Sequence, residues 1–151
     1  MKLFRKLFFC AVAFFVVFLA WTTWRSSAIN GEAQNYLDAE MPRILANWDS
    51  NELWDRSSRA LQANMGRDRM KALFSQLSAQ LGPLSQYDGV TSVAGYRKGF
   101  GLGGGEGDTA IGLAGAHFAR GPGSFKVALV RHDGKWQINA FYFLNERPEP
   151  Q

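Results

Sequence analysis

The chain has 151 residues, which is enough for one domain with its own apolar core and an accessory segment. Its formal charge of +4 belongs to the N-terminus, because Lys2, Arg5, Lys6 and Arg25 are four of the 17 basic residues and the other 13 balance the 13 acidic ones. A domain without net charge lacks the basic face that nucleic-acid binding requires, so no nucleic-acid partner is expected.

The N-terminus has the pattern of a transmembrane signal-anchor. Residues 1–6 are basic and cytoplasmic in this interpretation, and Leu7 to Trp24 form an uncharged apolar run of about 27 Å as a helix, long enough to cross a lipid bilayer. The chain is then a single-pass protein of the bacterial inner membrane with its domain in the periplasm. The competing interpretation is a cleaved signal peptide and a soluble periplasmic protein, because Ser26, Ser27 and Ala28 are small residues of the kind found at cleavage sites.

The single cysteine, Cys10, lies inside the apolar run. The exported domain therefore has no disulfide, no thiol nucleophile and no cysteine-type metal site. The only histidines, His117 and His132, have no carboxylate cluster near them in the sequence. Neither a metal nor any other cofactor is expected.

Residues 25–30 are small and polar and predict a linker. Residues 31–48 then carry apolar side chains at spacings of three and four, which predicts a helix with one buried face. Pro42 removes a helical hydrogen bond, so it predicts a kink or a division into two helices.

A short helical turn is predicted between Asp49 and Ser58, with Asp49 and Asp55 as capping residues. The next predicted helix begins after Ser57 or Ser58, is interrupted at Gly66 and ends before Gly82 and Pro83. Its basic residues predict a solvated face or a contact with anionic lipid headgroups. Together with a neighbour on the preceding turn, they are Arg56, Arg59, Arg67, Arg69 and Lys71.

The rest of the chain alternates as β-strands do. Strands are predicted over residues 88–100 and 108–120, with a glycine-rich loop over 101–107 between them. The Gly-Pro-Gly sequence at 121–123 is expected to turn the chain into a final hairpin. Helices followed by antiparallel strands predict an α+β domain over residues 31–145, in which N-terminal helices pack on a curved four-stranded antiparallel sheet. Residues 146–151 are expected to be a flexible tail.

The final hairpin is specified by Asp133-Gly134, because a type I′ turn needs two residues that tolerate positive φ. A two-residue turn sets the register. The expected pairs are Arg131 with Trp136, Leu129 with Ile138, Val127 with Ala140, and Phe125 with Tyr142. This register directs Phe141 and Phe143 to the outer face of the sheet, where exposed large apolar side chains predict a protein interface.

Several of these residues carry a family resemblance that covers Ile29 to Leu144. They are Trp48-Asp49, the Gly-Pro-Gly turn, Arg131, Asp133, Gly134, Trp136, Ile138 and Phe141. In this pattern the chain resembles the nuclear-transport-factor-2-like (cystatin-like α+β) superfamily and is similar to its small exported bacterial domains of unknown function. The resemblance implies a cone whose mouth can hold a small ligand and whose outer sheet face often forms a dimer. Members include isomerases, dehydratases and proteins without activity, so the fold does not determine the function.

Aromatic side chains and one histidine are the candidate ligand-binding residues, because such side chains can line the mouth of an apolar pocket. They are Tyr36, Trp48, Trp54, Tyr96, His117 and Tyr142. His117 is expected to share a strand face with Ile111 and Leu113 and to point into the cone. The competing interpretation is that the aromatic residues form the core.

The sequence favours a membrane-anchored, exported, non-catalytic binding or assembly module. Its expected partners are the lipid bilayer, through Leu7 to Trp24, an envelope or membrane protein, and a second copy of the chain through the outer sheet face. The alternative is a small apolar-ligand binder or an isomerase-type enzyme that uses the pocket of the cone, and such an enzyme would need a buried carboxylate.

Overall fold

The structure, a computed structural model, describes residues 28–96 and 107–144. In these residues three helices precede four strands, and the helices pack on one face of an antiparallel sheet with strand order β1-β2-β3-β4, which confirms the predicted α+β class. The elements are α1 (28–46), α2 (Ser50–Arg56), α3 (Arg59–Leu81), β1 (Leu84–Tyr96), β2 (Thr109–Phe118), β3 (Gly121–His132) and β4 (Lys135–Leu144).

Several predicted segments lie outside the described residues. They are the apolar run from Leu7 to Trp24, most of the glycine-rich loop and the C-terminal tail. Of the helices that the structure describes, none has the length and apolarity needed to span a membrane.

The helix signals in the sequence are confirmed, with three differences. Asp55, which was expected to cap a helix, lies inside α2, and Ser57 is the C-cap. Helix α1 already includes residues 28–30, which were expected in the linker, and it continues through Pro42 to residue 46. Asp49 caps α2, and Ser58 caps α3 by accepting a hydrogen bond from the Leu61 N–H at 3.1 Å. A non-helical Gly66, with φ of 73°, interrupts α3 as predicted.

Two features of the sheet differ from the prediction, namely the turn between β2 and β3 and the start of β1. The turn between β2 and β3 lies at residues 119–120, and Phe118 pairs with Gly121. The Gly-Pro-Gly sequence therefore opens β3 and does not form the turn. Strand β1 begins at Leu84, four residues before the predicted start.

The final hairpin has the predicted turn, with φ of 48° at Asp133 and 75° at Gly134. Its register follows the prediction from the turn to the pair of Leu129 with Ile138 and then shifts by one residue. Ala128 pairs with Ala140, so Asn139 is an extra residue on β4 and forms a β-bulge.

The bulge lies where the start of α3 meets the edge of β4. The Ser58 N–H donates to the Ile138 carbonyl oxygen at 2.8 Å, and the Ser58 hydroxyl donates to Asn139 Oδ1 at 2.7 Å. The extra residue on β4 leaves the Ile138 carbonyl oxygen and the Asn139 side chain free to bind Ser58. The bulge therefore serves the junction between the helices and the sheet.

The bulge reverses the faces of the residues that follow it. Phe125 pairs with Phe143 and not with Tyr142. Phe141 is only 4% exposed, and both Phe141 and Phe143 pack against Phe125, whereas Tyr142 is 57% exposed. The prediction that Phe141 and Phe143 face outward is wrong, because a shift of one residue exchanges the two faces of a strand.

Helix α1 is attached to β1 by side chains that bind the strand's backbone. Asp38 Oδ1 accepts from the Val90 N–H at 3.0 Å, and Asn30 Oδ1 accepts from the Gly95 N–H at 2.7 Å. Strand β1 has several irregularities in its pairing with β2, and such irregularities leave backbone groups without a partner in the ladder. The two contacts place the N-terminus of α1 at the Tyr96 end of β1.

The space between the helices and the sheet is filled by apolar side chains of the chain itself. The largest fully buried ones are Leu37, Met41, Ile44, Leu45, Leu53, Met70, Phe74, Phe125, Val127, Leu129 and Ile138. Close packing of this kind provides the main stabilisation of the domain. In the described residues, the space that was expected to be the interior of the cone is therefore filled by the hydrophobic core.

Gly112 lies where α1 crosses β2, and a Cβ atom there would overlap the buried Leu37. We expect Gly112→Ala to lower the free energy of unfolding by about 1–3 kcal/mol, because overpacking forces buried neighbours to move. Urea denaturation of the variant measures this change.

The matched control is Gly31→Ala, in α1, where an added Cβ would meet nothing within 4 Å. It should raise the stability by about 0.5–1 kcal/mol, since alanine favours a helix over glycine. Equal effects of the two substitutions would contradict the close packing of α1 on β2.

Candidate functional site

The face of the sheet that points away from the helices carries a continuous apolar surface, which we call the outer face. It consists of Ala94, Tyr96, Ile111, Leu113, Ala128, Val130, Ala140 and Tyr142. Tyr96, Ile111 and Tyr142 are 45%, 37% and 57% exposed. No helix among the described residues covers this face.

The strand register arranges these residues in rows across the sheet. One row runs through Ala94, Ile111, Ala128 and Ala140, each paired with the next. The neighbouring row runs through Ser92, Leu113, Lys126 and Tyr142. Small and large side chains therefore lie next to one another over all four strands; the first row is apolar, and the second also carries Ser92 and the exposed Lys126.

His117 also belongs to the side of the sheet that points away from the helices. It shares a strand face with Ile111 and Leu113 as predicted, but this face points to solvent, so the expectation that His117 points into the cone is wrong. Its Nδ1 lies 2.8 Å from Asp88 Oδ2, and the His117 side chain is 58% exposed. Water screens such a pair, so it is not a buried general base.

A concave groove lies on the opposite side of the molecule, between the start of α2 and the second half of α3. Its cavity volume is ≈ 690 Å³. Trp48, Trp54, Met70 and Phe74 contribute its apolar part. The polar lining residues include Asn47, Asp49, Asn51, Arg67, Asp68, Lys71, Ser75 and Ser78. We call this cavity the tryptophan groove.

Trp48 is held rigidly at the groove. Its indole N–H donates to the Gly82 carbonyl oxygen at 2.8 Å, and its ring stacks on Phe118 at 5.2 Å and meets Phe74 edge-on. The backbone of Trp48 has φ of 51°, a left-handed conformation that a bulky residue rarely adopts. The ring contacts and the hydrogen bond offset the conformational cost.

Trp54 is covered on one side by a cation. The Arg67 guanidinium lies 4.4 Å from the centre of the indole ring and donates a hydrogen bond to Asn51 Oδ1 at 3.2 Å. This cation–π contact fixes one wall of the groove. Arg67 and Lys71 line the cavity together with the carboxylates of Asp49 and Asp68, so the lining carries charges of both signs.

The candidate ligand-binding residues are thus divided among three places. Trp48 and Trp54 meet at the tryptophan groove, whereas Tyr96, His117 and Tyr142 lie on the other side of the sheet. Tyr36 lies on α1, near the ion pair of Glu40 with Arg56. The sequence could not indicate the groove, because the hydrogen bond that holds Trp48 there joins it to the Gly82 carbonyl oxygen, 34 residues away along the chain.

The half-buried carboxylate of Asp38 joins α1 to the sheet, and its Oδ1 accepts from the Tyr87 hydroxyl at 3.1 Å and from the Val90 N–H. Burial and the Asp38 charge raise the pKa of Tyr87. Asp38 thereby stabilises the contact between α1 and β1. In the described residues, no three histidine, cysteine or acidic side chains come together as metal ligands would.

No protein-family model, no curated protein and no solved structure matches this chain. The outer face and the tryptophan groove are therefore the features of this chain that bear on its function.

The ionisation of Tyr36 makes the stability of the fold depend on pH in the alkaline range. Burial, together with the charge of Glu40, raises the pKa of Tyr36 to about 12, and Arg56 opposes this effect. Below the unfolded value of 10.0, the phenol is neutral in both states and its full contribution to stability is present. As the pH rises from 10.0 towards about 12, the unfolded chain ionises first and stability falls. Tyr87 acts in the same direction.

We expect Tyr36→Phe to make this fall in stability shallower, because phenylalanine cannot ionise. Urea midpoints of the parent and the variant at about pH 9 and about pH 11 measure the effect. The same fall in both proteins would show that the Tyr36 phenol is not buried as described.

Proposed function

We propose that this protein is a membrane-anchored, exported, non-catalytic assembly module of the bacterial envelope, and that its outer face binds a second copy of the same chain. The observation that carries the proposal is the uncovered row of apolar residues across all four strands. Exposed apolar surfaces of this extent usually mark interfaces. The exposed residues are Ile111 and Tyr142 and not, as predicted, Phe141 and Phe143. The proposed interface therefore stays on the predicted face of the sheet but uses other side chains.

The size of the outer face supports a second copy as its occupant. Four strands about 4.8 Å apart and ten residues long at about 3.3 Å per residue cover about 600 Å². A standard protein interface buries about 800 Å² per partner. A face-to-face dimer of two such sheets would therefore bury somewhat less area per partner than a standard specific interface does.

The shape of the outer face also favours self-association. Ile111 lies beside Ala128, and Tyr142 lies one row from Ala140. In a two-fold dimer the same patch meets itself, so large residues need small ones opposite them. The alternation of large and small residues provides both within one face.

Membrane anchoring strengthens a modest interface. Leu7 to Trp24 would hold each copy in the same bilayer, and confinement raises the effective concentration of the partners. In this proposal the domain is periplasmic and the N-terminus cytoplasmic.

We also propose that the fold is that of the nuclear-transport-factor-2-like superfamily. Helices followed by an antiparallel four-stranded sheet support this assignment. The bulges in β1 and β4 favour a curved, cone-shaped sheet, because each bulge bends its strand.

The interface is tested by Ile111→Lys in the full-length chain in detergent micelles. We expect dimerisation to weaken by about a hundredfold or more, because a buried lysine without a partner costs several kcal/mol. Sedimentation equilibrium measures the dimer fraction. The matched control is Gln76→Lys, which adds the same charge at an exposed position of α3 and should leave dimerisation unchanged.

A parent protein that stays monomeric at all accessible concentrations would contradict the proposal. Equal dimerisation of the Ile111→Lys and Gln76→Lys variants would also contradict it, since the dimer would then use another surface.

A second candidate function is the binding of a small amphipathic ligand in the tryptophan groove. Its volume of ≈ 690 Å³ is within the usual range of small-molecule sites. The tryptophan and phenylalanine rings favour an apolar or aromatic body, and Arg67 and Lys71 can pair with an anionic group, beside the carboxylates of Asp49 and Asp68 in the same lining. This assignment moves the predicted ligand site from the interior of the cone to the surface of the helices.

The fluorescent probe anilinonaphthalene sulfonate has both of these features and can test the groove. We expect Trp54→Ala to weaken its binding by about tenfold, which corresponds to about 1.4 kcal/mol. Gln76→Ala, at an exposed position of α3 that does not line the groove, is the control and should bind the probe as the parent does. Unchanged binding by a folded Trp54→Ala variant would contradict the assignment, and Trp54→Phe serves if the alanine variant unfolds.

A further inference from the structure

The first turns of α1 are tied to one end of the sheet. Asn30 Oδ1 accepts from the Gly95 N–H, and Glu32 forms an ion pair with Arg131 at 2.5 Å. This end of the sheet contains the last residue of β1, the first of β2 and the turn between β3 and β4. We call it the hairpin end, and its residues are Tyr96, Thr109, His132, Asp133, Gly134 and Lys135.

The chain before α1 leaves little freedom for the position of this end. The apolar run ends at Trp24, and α1 includes residue 28, so three residues connect the two. Three extended residues span about 11 Å at most. An anchored domain therefore has the start of α1 within about 11 Å of the membrane surface.

We infer that the hairpin end of the sheet faces the lipid bilayer. The inference rests on the proposed membrane anchor. Lys135 is exposed at this end and can reach phosphate headgroups, while Tyr96 offers a side chain of the kind found at membrane interfaces. His132 and Asp133 pair with each other at 3.5 Å, and Arg131 is held by Glu32, so the short tether and not charge sets the orientation.

The opposite end of the molecule is then directed away from the membrane. Helix α1 spans about 28 Å from residue 28 to residue 46. Beyond it, Trp48 contacts Gly82, and the Arg120 N–H donates to the Leu81 carbonyl oxygen. The tryptophan groove therefore opens far from the lipid, and the outer face stays clear of the bilayer, so that neighbouring anchored copies can meet through it.

A competing surface is the exposed basic side of α3, which could lie flat on anionic headgroups. Its basic residues are Arg59, Arg67, Arg69 and Lys71. A flat arrangement would bring Arg69 as close to the lipid as Lys135. The two orientations therefore predict different depths for these positions.

The test uses the full-length chain with Cys10→Ser and one new cysteine at a time, Lys135→Cys, Arg69→Cys or Arg120→Cys. Each is labelled with a fluorophore in vesicles of phosphatidylcholine and phosphatidylglycerol that contain spin-labelled headgroups. We expect quenching at position 135 to be at least about twofold stronger than at positions 69 and 120, because only position 135 lies close to the tether.

Equal quenching at all three positions, or the strongest quenching at position 69 or 120, would overturn the inference while the anchor stands. Retention of the protein in the vesicle pellet after an alkaline carbonate wash reports on the anchor separately. Release in that wash would overturn both the anchor and the orientation that depends on it.

Discussion

The junction between Ser58 and the edge of β4 is the contact on which the rest of the sheet depends. The Ser58 N–H and hydroxyl bind Ile138 and Asn139, and the strand adds one residue to make these bonds. Because side chains alternate along a strand, this one residue turns Phe141 into the core and Tyr142 to the solvent. The cap of α3 thus determines which residues of β4 lie on each face of the sheet.

The helices also protect both edges of the sheet. Asn30 and Asp38 of α1 bind backbone N–H groups of β1, and Ser57 forms a bridge with Ile138 of β4. Unpaired strand edges invite uncontrolled association, and these contacts occupy part of each edge. The outer face carries exposed apolar residues and is not covered by the described helices. The arrangement favours one defined interface over open-ended edge pairing.

The two candidate surfaces differ in the chemistry they support. The outer face is broad and apolar and suits a protein surface, whereas the tryptophan groove is concave and combines aromatic rings with amides, hydroxyls and charges. The carboxylate of Asp38, which lies between helix and sheet, is already bound to Tyr87 and Val90. An acid engaged in this way connects α1 to β1. Binding and assembly are the functions that we propose for these two surfaces.

Local signals were sufficient to predict the class of the fold, since caps, turns and helix breaks depend on residues close in sequence. Ser58, Gly66 and Asp133-Gly134 act within a few residues, and each performs its predicted role. The bulge at Asn139 was not predictable, because its cause is a bond to a residue 81 positions away. For the same reason, only the tertiary structure placed His117 on the solvent side of the sheet and assembled the tryptophan groove. Periodicity in a sequence shows which residues share a face, but only packing decides which face is inside.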